Sequence, residues 1–298
     1  MDEAPPASKR QCAAAMTIVL YPERRYPNDW IEREVLGRKA EIRICAVAAL
    51  AGLSAAERAG VTHLVLHGMD ATAADLAAFP DLRLVLRTGP AAIEGRFVDV
   101  TGHDIAERAD HAMALALALH RGVWDARVKL RRSAGLYFGI LGLGRVGMAV
   151  ALRARAFGFR VLFHDPHAAP GVEAGLGIER ARRLQGVLLK ADILSIHEPE
   201  GDTLLEAGGL PEAGGRLGLA DLAVLPQGAL VVDITGGAML DRAALAGMLE
   251  AGHLGGAALD LPAGVAAPPG VLVTRCAPTD AAVDALRRLT AEAILSAP

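Results

Sequence analysis

The chain has few aromatic residues, few cysteines, no excess of charge of one sign and no long apolar stretch. Phe, Trp and Tyr make up 4% of 298 residues against 52% hydrophobic residues, so any core has to be built mostly from Ala, Val and Leu. The three cysteines, Cys12, Cys45 and Cys276, are an odd count without metal-type spacing. That argues against a disulfide framework and for reduced thiols in a cytoplasmic protein. His63, His67 and His103 show no ligand spacing with Cys or Asp, so no metal site is expected. The longest apolar runs, Ile44–Ala51 and Ala112–Leu119, are too short to span a bilayer, and no membrane partner is expected. Basic and acidic residues are mixed throughout at a formal net charge of −3. No basic patch with interleaved aromatics occurs, so nucleic acid is not an expected ligand. Lys9 and Arg10 before Cys12–Tyr21 faintly resemble a signal peptide, but the start is acidic and Pro-containing and no clean cleavage site follows. Residues 1–15 are therefore read as a disordered leader.

What the chain does have is concentrated in residues 139–166, GILGLGRVGMAVALRARAFGFRVLFHDP. An apolar strand, Phe138–Leu141, runs into a glycine turn with Gly142, Gly144 and Gly147. An alanine-rich helix pattern follows, and a second apolar strand, Val161–Phe163, ends at Asp165. That order is the dinucleotide-binding βαβ unit. Gly142 permits the tight turn, Gly144 lets a pyrophosphate approach the backbone, and Gly147 lets helix and strand pack closely. The helix N-terminus offers N–H groups and a positive dipole end to the phosphates. Asp165 is placed to accept hydrogen bonds from ribose hydroxyls and to repel a 2′-phosphate, which favours NAD(H) over its phosphorylated counterpart.

Strand-like and helix-like stretches alternate through the rest. Thr17–Tyr21, Ile42–Val47, His63–Leu66, Leu84–Leu86 and Phe97–Val100 read as strands, with helices at Leu50–Ala59 and Ala71–Ala78. A long helix pattern, Ile105–Arg121, and a basic connector, Lys129–Arg132, precede the glycine unit. Strands follow at Ile193–His197, Leu230–Asp233, Gly256–Leu261 and Val271–Thr274, then a last amphipathic helix at Ala281–Leu295. Glu198–Gly218 reads as an irregular loop beside the cofactor cleft. The pattern predicts two doubly wound α/β domains with parallel sheets. The first comprises residues 16–104 with 277–298, and the second, holding the glycine turn, residues 105–276.

These blocks resemble the D-2-hydroxyacid dehydrogenase family, most closely the branch of the C-terminal binding protein corepressors. The glycine segment is similar to that branch almost position by position. ERADHAMALALALHR, ADILSIHEP, GALVVDITGG and GHLGGAALDL also match family blocks, and the resemblance covers roughly residues 60–298. It implies a flavodoxin-like substrate-type domain and a Rossmann nucleotide-binding domain, bound NAD(H), a small-molecule ligand or substrate in an interdomain cleft, and a homodimer built through the nucleotide-binding domains. It places Arg145 near the pyrophosphate with Val146, Pro166 beside Asp165, His197 and Pro199 in the cleft wall, Thr235 at a strand end on the cleft, and Asp260 on the nicotinamide amide.

Three family positions are replaced. The arginine that clamps the substrate carboxylate corresponds to Gly236, the glutamate that supports the catalytic histidine to Val265, and the histidine itself to Cys276. The carboxylate-binding Gly-x-Gly-x-Asp loop is also missing, and in RTGPAAIEGRFVDV only Gly89 keeps its turn position. Asp233, Thr235, Arg275 and Cys276 are the substitutes worth weighing. Arg275 offers a guanidinium and a means of lowering the Cys276 thiol pKa; equally, Arg275 points to solvent and Cys276 fills an apolar space. Asp233 is either an acid–base group or a residue that caps the next helix or hydrogen-bonds the cofactor. His164 is expected at the edge of the adenine pocket, His111 and His120 at the rim of the core or in solvent, and His253 in an exposed turn. Three readings follow: an NAD(H)-binding protein without ordinary 2-hydroxyacid chemistry, an NAD-dependent oxidoreductase of altered mechanism, and a corepressor-like interaction module.

Overall fold

The computed structural model describes residues 16–89, 92–100, 102–123, 133–197, 216–275 and 280–297. The expected leader, the basic connector and most of the Glu198–Gly218 loop lie outside these residues. The chain divides into two units, Met1–His103 with Thr279–Pro298, and Asp104–Pro278.

The first unit runs β1 (Thr17–Tyr21), α1 (Trp30–Leu36), β2 (Ala40–Ile44), a 3₁₀ turn (Leu50–Gly52), α2 (Ala55–Arg58), β3 (His63–Leu66), α3 (Ala73–Ala77), β4 (Leu84–Arg87) and β5 (Val98–Asp99). Its strands pair in parallel in the order β2-β1-β3-β4-β5, the flavodoxin-like arrangement. The central strand β3, HLVL, is buried at every position, as a strand covered on both faces should be. The single helix expected over Leu50–Ala59 is broken. Ser54 is extended and accepts the Glu57 N–H, while Glu57 accepts the Ser54 N–H, so this capping box starts a new helix. Thr72 and Asp75 set the start of α3 in the same way.

The second unit runs α4 (Ile105–His120), β6 (Tyr137–Leu141), α5 (Arg145–Ala156), β7 (Arg160–His164), α6 (Val172–Leu176), β8 (Glu179–Arg180), α7 (Leu184–Leu188), β9 (Ile193–Ile196), α8 (Leu219–Leu222), β10 (Ala229–Asp233), α9 (Arg242–Glu250), β11 (Leu254–Asp260) and β12 (Leu272–Thr274). Its sheet is also parallel, in the order β12-β11-β10-β9-β6-β7-β8. This is the Rossmann arrangement, with the order reversing around β6. Phe138 and Phe163 are fully buried here, and Phe138 meets Phe159 edge-on at 5.5 Å. Most of the remaining core is aliphatic. Ala109, Ala112, Ala116, Val150, Ala151 and Ala154 bring α4 and α5 together with little side-chain bulk.

The chain then returns to the first unit with α10 (Asp280–Ser296), which packs against α1. Arg287 anchors it, donating from Nε to Glu32 Oε1 at 2.8 Å and from Nη2 to the Asn28 carbonyl at 2.8 Å.

Candidate cofactor site

In the second unit the candidate residues gather at the carboxyl ends of the strands. Gly142 follows β6, Asp165 follows β7, His197 follows β9, Asp233 ends β10 and Asp260 ends β11. The strand order turns at β6, and open α/β sheets take their ligands outside such a switch point.

Two of the three turn glycines, Gly142 and Gly147, answer to steric demands. Gly142 has φ +82°, and its N–H donates to the His164 carbonyl at 3.1 Å. A Cβ on Gly147 would lie 2.2 Å from the Gly142 carbonyl oxygen, so α5 presses directly on the turn. Gly144 caps α5 with extended backbone and has no side-chain acceptor for the first-turn amides, which makes an anion their natural partner. Arg145 and Val146 open the helix, both half-buried, with Val146 against the core.

Asp165 is buried and ties the two strand ends together. Its Oδ2 accepts the Leu143 N–H and its Oδ1 the His167 N–H, both at 2.8 Å. Each oxygen keeps acceptor capacity for a ribose hydroxyl. Pro166 is exposed beside it, and His164 is buried with Nδ1 donating to the Ala181 carbonyl at 3.1 Å.

His197 is 1% exposed. Its N–H donates to the Leu141 carbonyl at 2.9 Å, and Nε2 lies 2.9 Å from Ser195 Oγ. Nδ1 is buried and has no hydrogen-bond partner among the described residues. Burial, with a smaller contribution from the Arg108 charge, pushes the ring pKa down to about 3. The imidazole is thus neutral around pH 7. An unmet buried nitrogen calls for a hydrogen-bonding neighbour.

Asp233 is fully buried, and its Oδ1 accepts the Thr235 N–H at 2.7 Å and the Thr235 hydroxyl at 2.6 Å. Together they lock the turn into Gly236 and Gly237, whose φ values are +71° and +79°. Val265 packs against the core, and its N–H donates to the Pro262 carbonyl. Arg275 is exposed with its guanidinium on that same carbonyl. Pro199 and Cys276 lie outside the described residues.

Asp260 is half-buried and accepts the Thr274 hydroxyl at 3.0 Å. His111 reaches the same pair, with Nε2 2.8 Å from Thr274 Oγ1. No local pattern marks this contact, because its partners are 163 positions apart in the chain. His120 is buried against Phe159 and near Ser133 Oγ, and His253 donates to the Leu225 carbonyl at 2.9 Å, so neither side chain is simply solvated. No cluster of three or more His, Cys, Asp or Glu able to hold a metal occurs among the described residues, and none of their helices is long and apolar enough to cross a membrane.

This donor set fits a dinucleotide. The turn excludes a Cβ at Gly147, the α5 amides face no side-chain cap, and a carboxylate and an unmet imidazole nitrogen follow the neighbouring strands.

Residues 105–274 match the family model described as D-isomer specific 2-hydroxyacid dehydrogenase, NAD binding domain. The D-3-phosphoglycerate dehydrogenase of Mycobacterium leprae is 34% identical over 208 residues, covering 62% of this chain and 38% of that protein. That of Mycobacterium tuberculosis is 35% identical over the same length and coverage. The chain thus spans well under half the length of these relatives. Among solved structures, the NAD-complexed D-isomer specific 2-hydroxyacid dehydrogenase of Lactobacillus delbrueckii ssp. bulgaricus is similar at TM-score 0.70 and 17% identity, covering 94% of this chain and 95% of that one. The Aquifex aeolicus D-lactate dehydrogenase complexed with NAD and lactic acid is similar at TM-score 0.69 and 17% identity, with 94% and 95% coverage. At that identity the likeness speaks for the fold, and the family model, which matches more than half of the chain, speaks for the family. The chain belongs to the D-isomer specific 2-hydroxyacid dehydrogenases and carries their NAD-binding domain.

Proposed function

We propose that this protein binds NAD(H) and does not carry out ordinary 2-hydroxyacid dehydrogenation. One contrast carries the reading. The cradle at Gly142 and Gly147 is kept so tightly that a single Cβ would close it, while the position of the substrate-clamping arginine is Gly236 at φ +71°. An arginine there would have to adopt a backbone conformation that L-residues avoid. Val265 and Cys276, at the glutamate and histidine positions, have neither carboxylate nor imidazole.

NAD(H), when bound, supplies hydride exchange. The chain's own residues hold it: the turn glycines with Arg145 and Val146 at the pyrophosphate, Asp165 and Pro166 at the adenosine ribose, His197 and Pro199 as wall, Thr235 and Asp260 toward the nicotinamide. A second reading, an oxidoreductase with other proton carriers, is favoured by the complete burial of Asp233 at the end of β10. A corepressor-like role has only the branch resemblance behind it. A homodimer through the nucleotide-binding unit, a small-molecule ligand and a cytoplasmic location belong to the same proposal.

Calorimetric titration tests it. NAD⁺ binds and NADP⁺ binds more weakly, and Asp165→Ala lowers NAD⁺ affinity about tenfold or more, the worth of a charged hydrogen bond. Equal affinity for the two nucleotides contradicts the role of Asp165, and no NAD⁺ binding overturns the proposal.

A further inference from the structure

Between Asp165 and α6 the chain makes a short loop, and a side chain from β8 holds it. β7 and β8 are parallel neighbours with Phe163 paired to Arg180. From that position the Arg180 guanidinium reaches acceptors outside its own strand. Nη1 donates to the Ala168 carbonyl at 3.1 Å, Nη2 to the Ala169 carbonyl at 2.6 Å, and Nε to Glu173 Oε2 on α6 at 3.0 Å. Its Cζ lies 4.9 Å from the centre of the Phe163 ring, and the side chain is 22% exposed. A planar fork of donors suits such a divergent set, which a lysine's one nitrogen does not. At the start of the loop Asp165 Oδ1 accepts the His167 N–H at 2.8 Å. The Val172 N–H adds a longer contact, 3.4 Å, to the Ala169 carbonyl. Pro166 and Pro170 bring no N–H of their own.

We infer that Arg180 is a positioning residue for the cofactor: it pins the loop after β7, so that Asp165 and its neighbours are already ordered when the adenosine ribose arrives. The inference rests on the proposed contact between Asp165 and that ribose. The loop belongs to no strand or helix. Without the guanidinium its carbonyls would turn to water and its backbone would have to be ordered on binding, which weakens affinity. Glu173 balances the Arg180 charge at 3.0 Å. Arg180 touches the cofactor at no point in this scheme; it acts only through the loop.

The test pairs calorimetry of NAD⁺ with amide hydrogen exchange read by NMR. Arg180→Ala weakens NAD⁺ about five- to thirtyfold, the effect of ordering one loop residue on binding. Without nucleotide, the His167 and Val172 amides of this variant exchange faster than in the wild type, and saturating NAD⁺ slows them again. The Met148 amide, bonded to the Gly144 carbonyl inside α5, exchanges as in the wild type. Arg180→Lys, which keeps the charge and loses the fork, recovers little of the affinity. Arg160→Ala, which removes an arginine from the opposite end of β7, leaves NAD⁺ affinity unchanged. Wild-type affinity in Arg180→Ala overturns the inference. So does faster exchange at Met148, which marks a general structural defect, or full recovery by lysine, which marks an effect of charge alone. Failure of the wild type to bind NAD⁺ is a different result: it removes the NAD(H) reading itself, and the inference falls with it.

Discussion

The His197 imidazole lies at the end of β9 where water does not reach it, and its charged form is strongly disfavoured there. Unfolded, the ring titrates near its ordinary 6.5; folded, it titrates near 3. The unfolded chain therefore takes up a proton that the folded one refuses. Stability is complete above pH 6.5 and falls as the pH drops toward 3, by about 1.4 kcal/mol per pH unit from this group. His197→Asn removes that dependence. Urea melts of wild type and variant across this acid range should differ in slope against pH, and parallel slopes would contradict the burial argument. Gly147→Ala tests the turn. Its new Cβ, 2.2 Å from the Gly142 oxygen, should cost about 1–3 kcal/mol by overpacking and abolish NAD⁺ binding, measured by melting and calorimetry. An alanine variant that binds normally would show that α5 does not bear on the turn. At this scale Gly142 and Gly147 were legible in the sequence because each answers to a steric demand that glycine meets best. His111 was not, because nothing local announces that a helical histidine meets a threonine at the far end of the unit.

Elements were legible where their pattern is long or their end is marked. α10 was anticipated as Ala281–Leu295 and spans Asp280–Ser296, since an amphipathic pattern sustained over four turns has one solution. α1, Trp30–Leu36, was missed. Its sequence WIEREVL is short, and one of its acids, Glu32, is buried. What holds Glu32 is Arg287 of α10, a tertiary fact: the side chains are 4% and 6% exposed, and the Arg287 guanidinium stacks over Tyr26 at 4.7 Å. Arg287→Met leaves Glu32 buried without its cation and should destabilise the first unit by about 3–5 kcal/mol. Adding Glu32→Met should restore much of the loss. A thermal melt in which the double variant is no better than the single would contradict the pairing. The break at Ser54 was readable, because S-A-A-E is a capping-box sequence, yet the apolar run across Leu50–Ala59 hid it.

For the whole molecule, the alternation of strand and helix led correctly to parallel α/β architecture, and the glycine turn to an NAD-binding domain. Strand order was not legible strand by strand. The reversal around β6 arises from which helices cover which face, and Gly139 takes part in that: a Cβ there would come within 2.7 Å of Val187 on α7. Chemistry is least legible of all, since the proposed loss of the family's acid–base groups names no task for the residues that would stand in their place. The most direct test is therefore paired on one preparation: NAD⁺ affinity by calorimetry, and NADH production from D-lactate and D-3-phosphoglycerate. NAD⁺ should bind while neither acid is oxidised at an enzyme-like rate, about 1 s⁻¹ or more. Turnover of either acid at that rate would contradict the account.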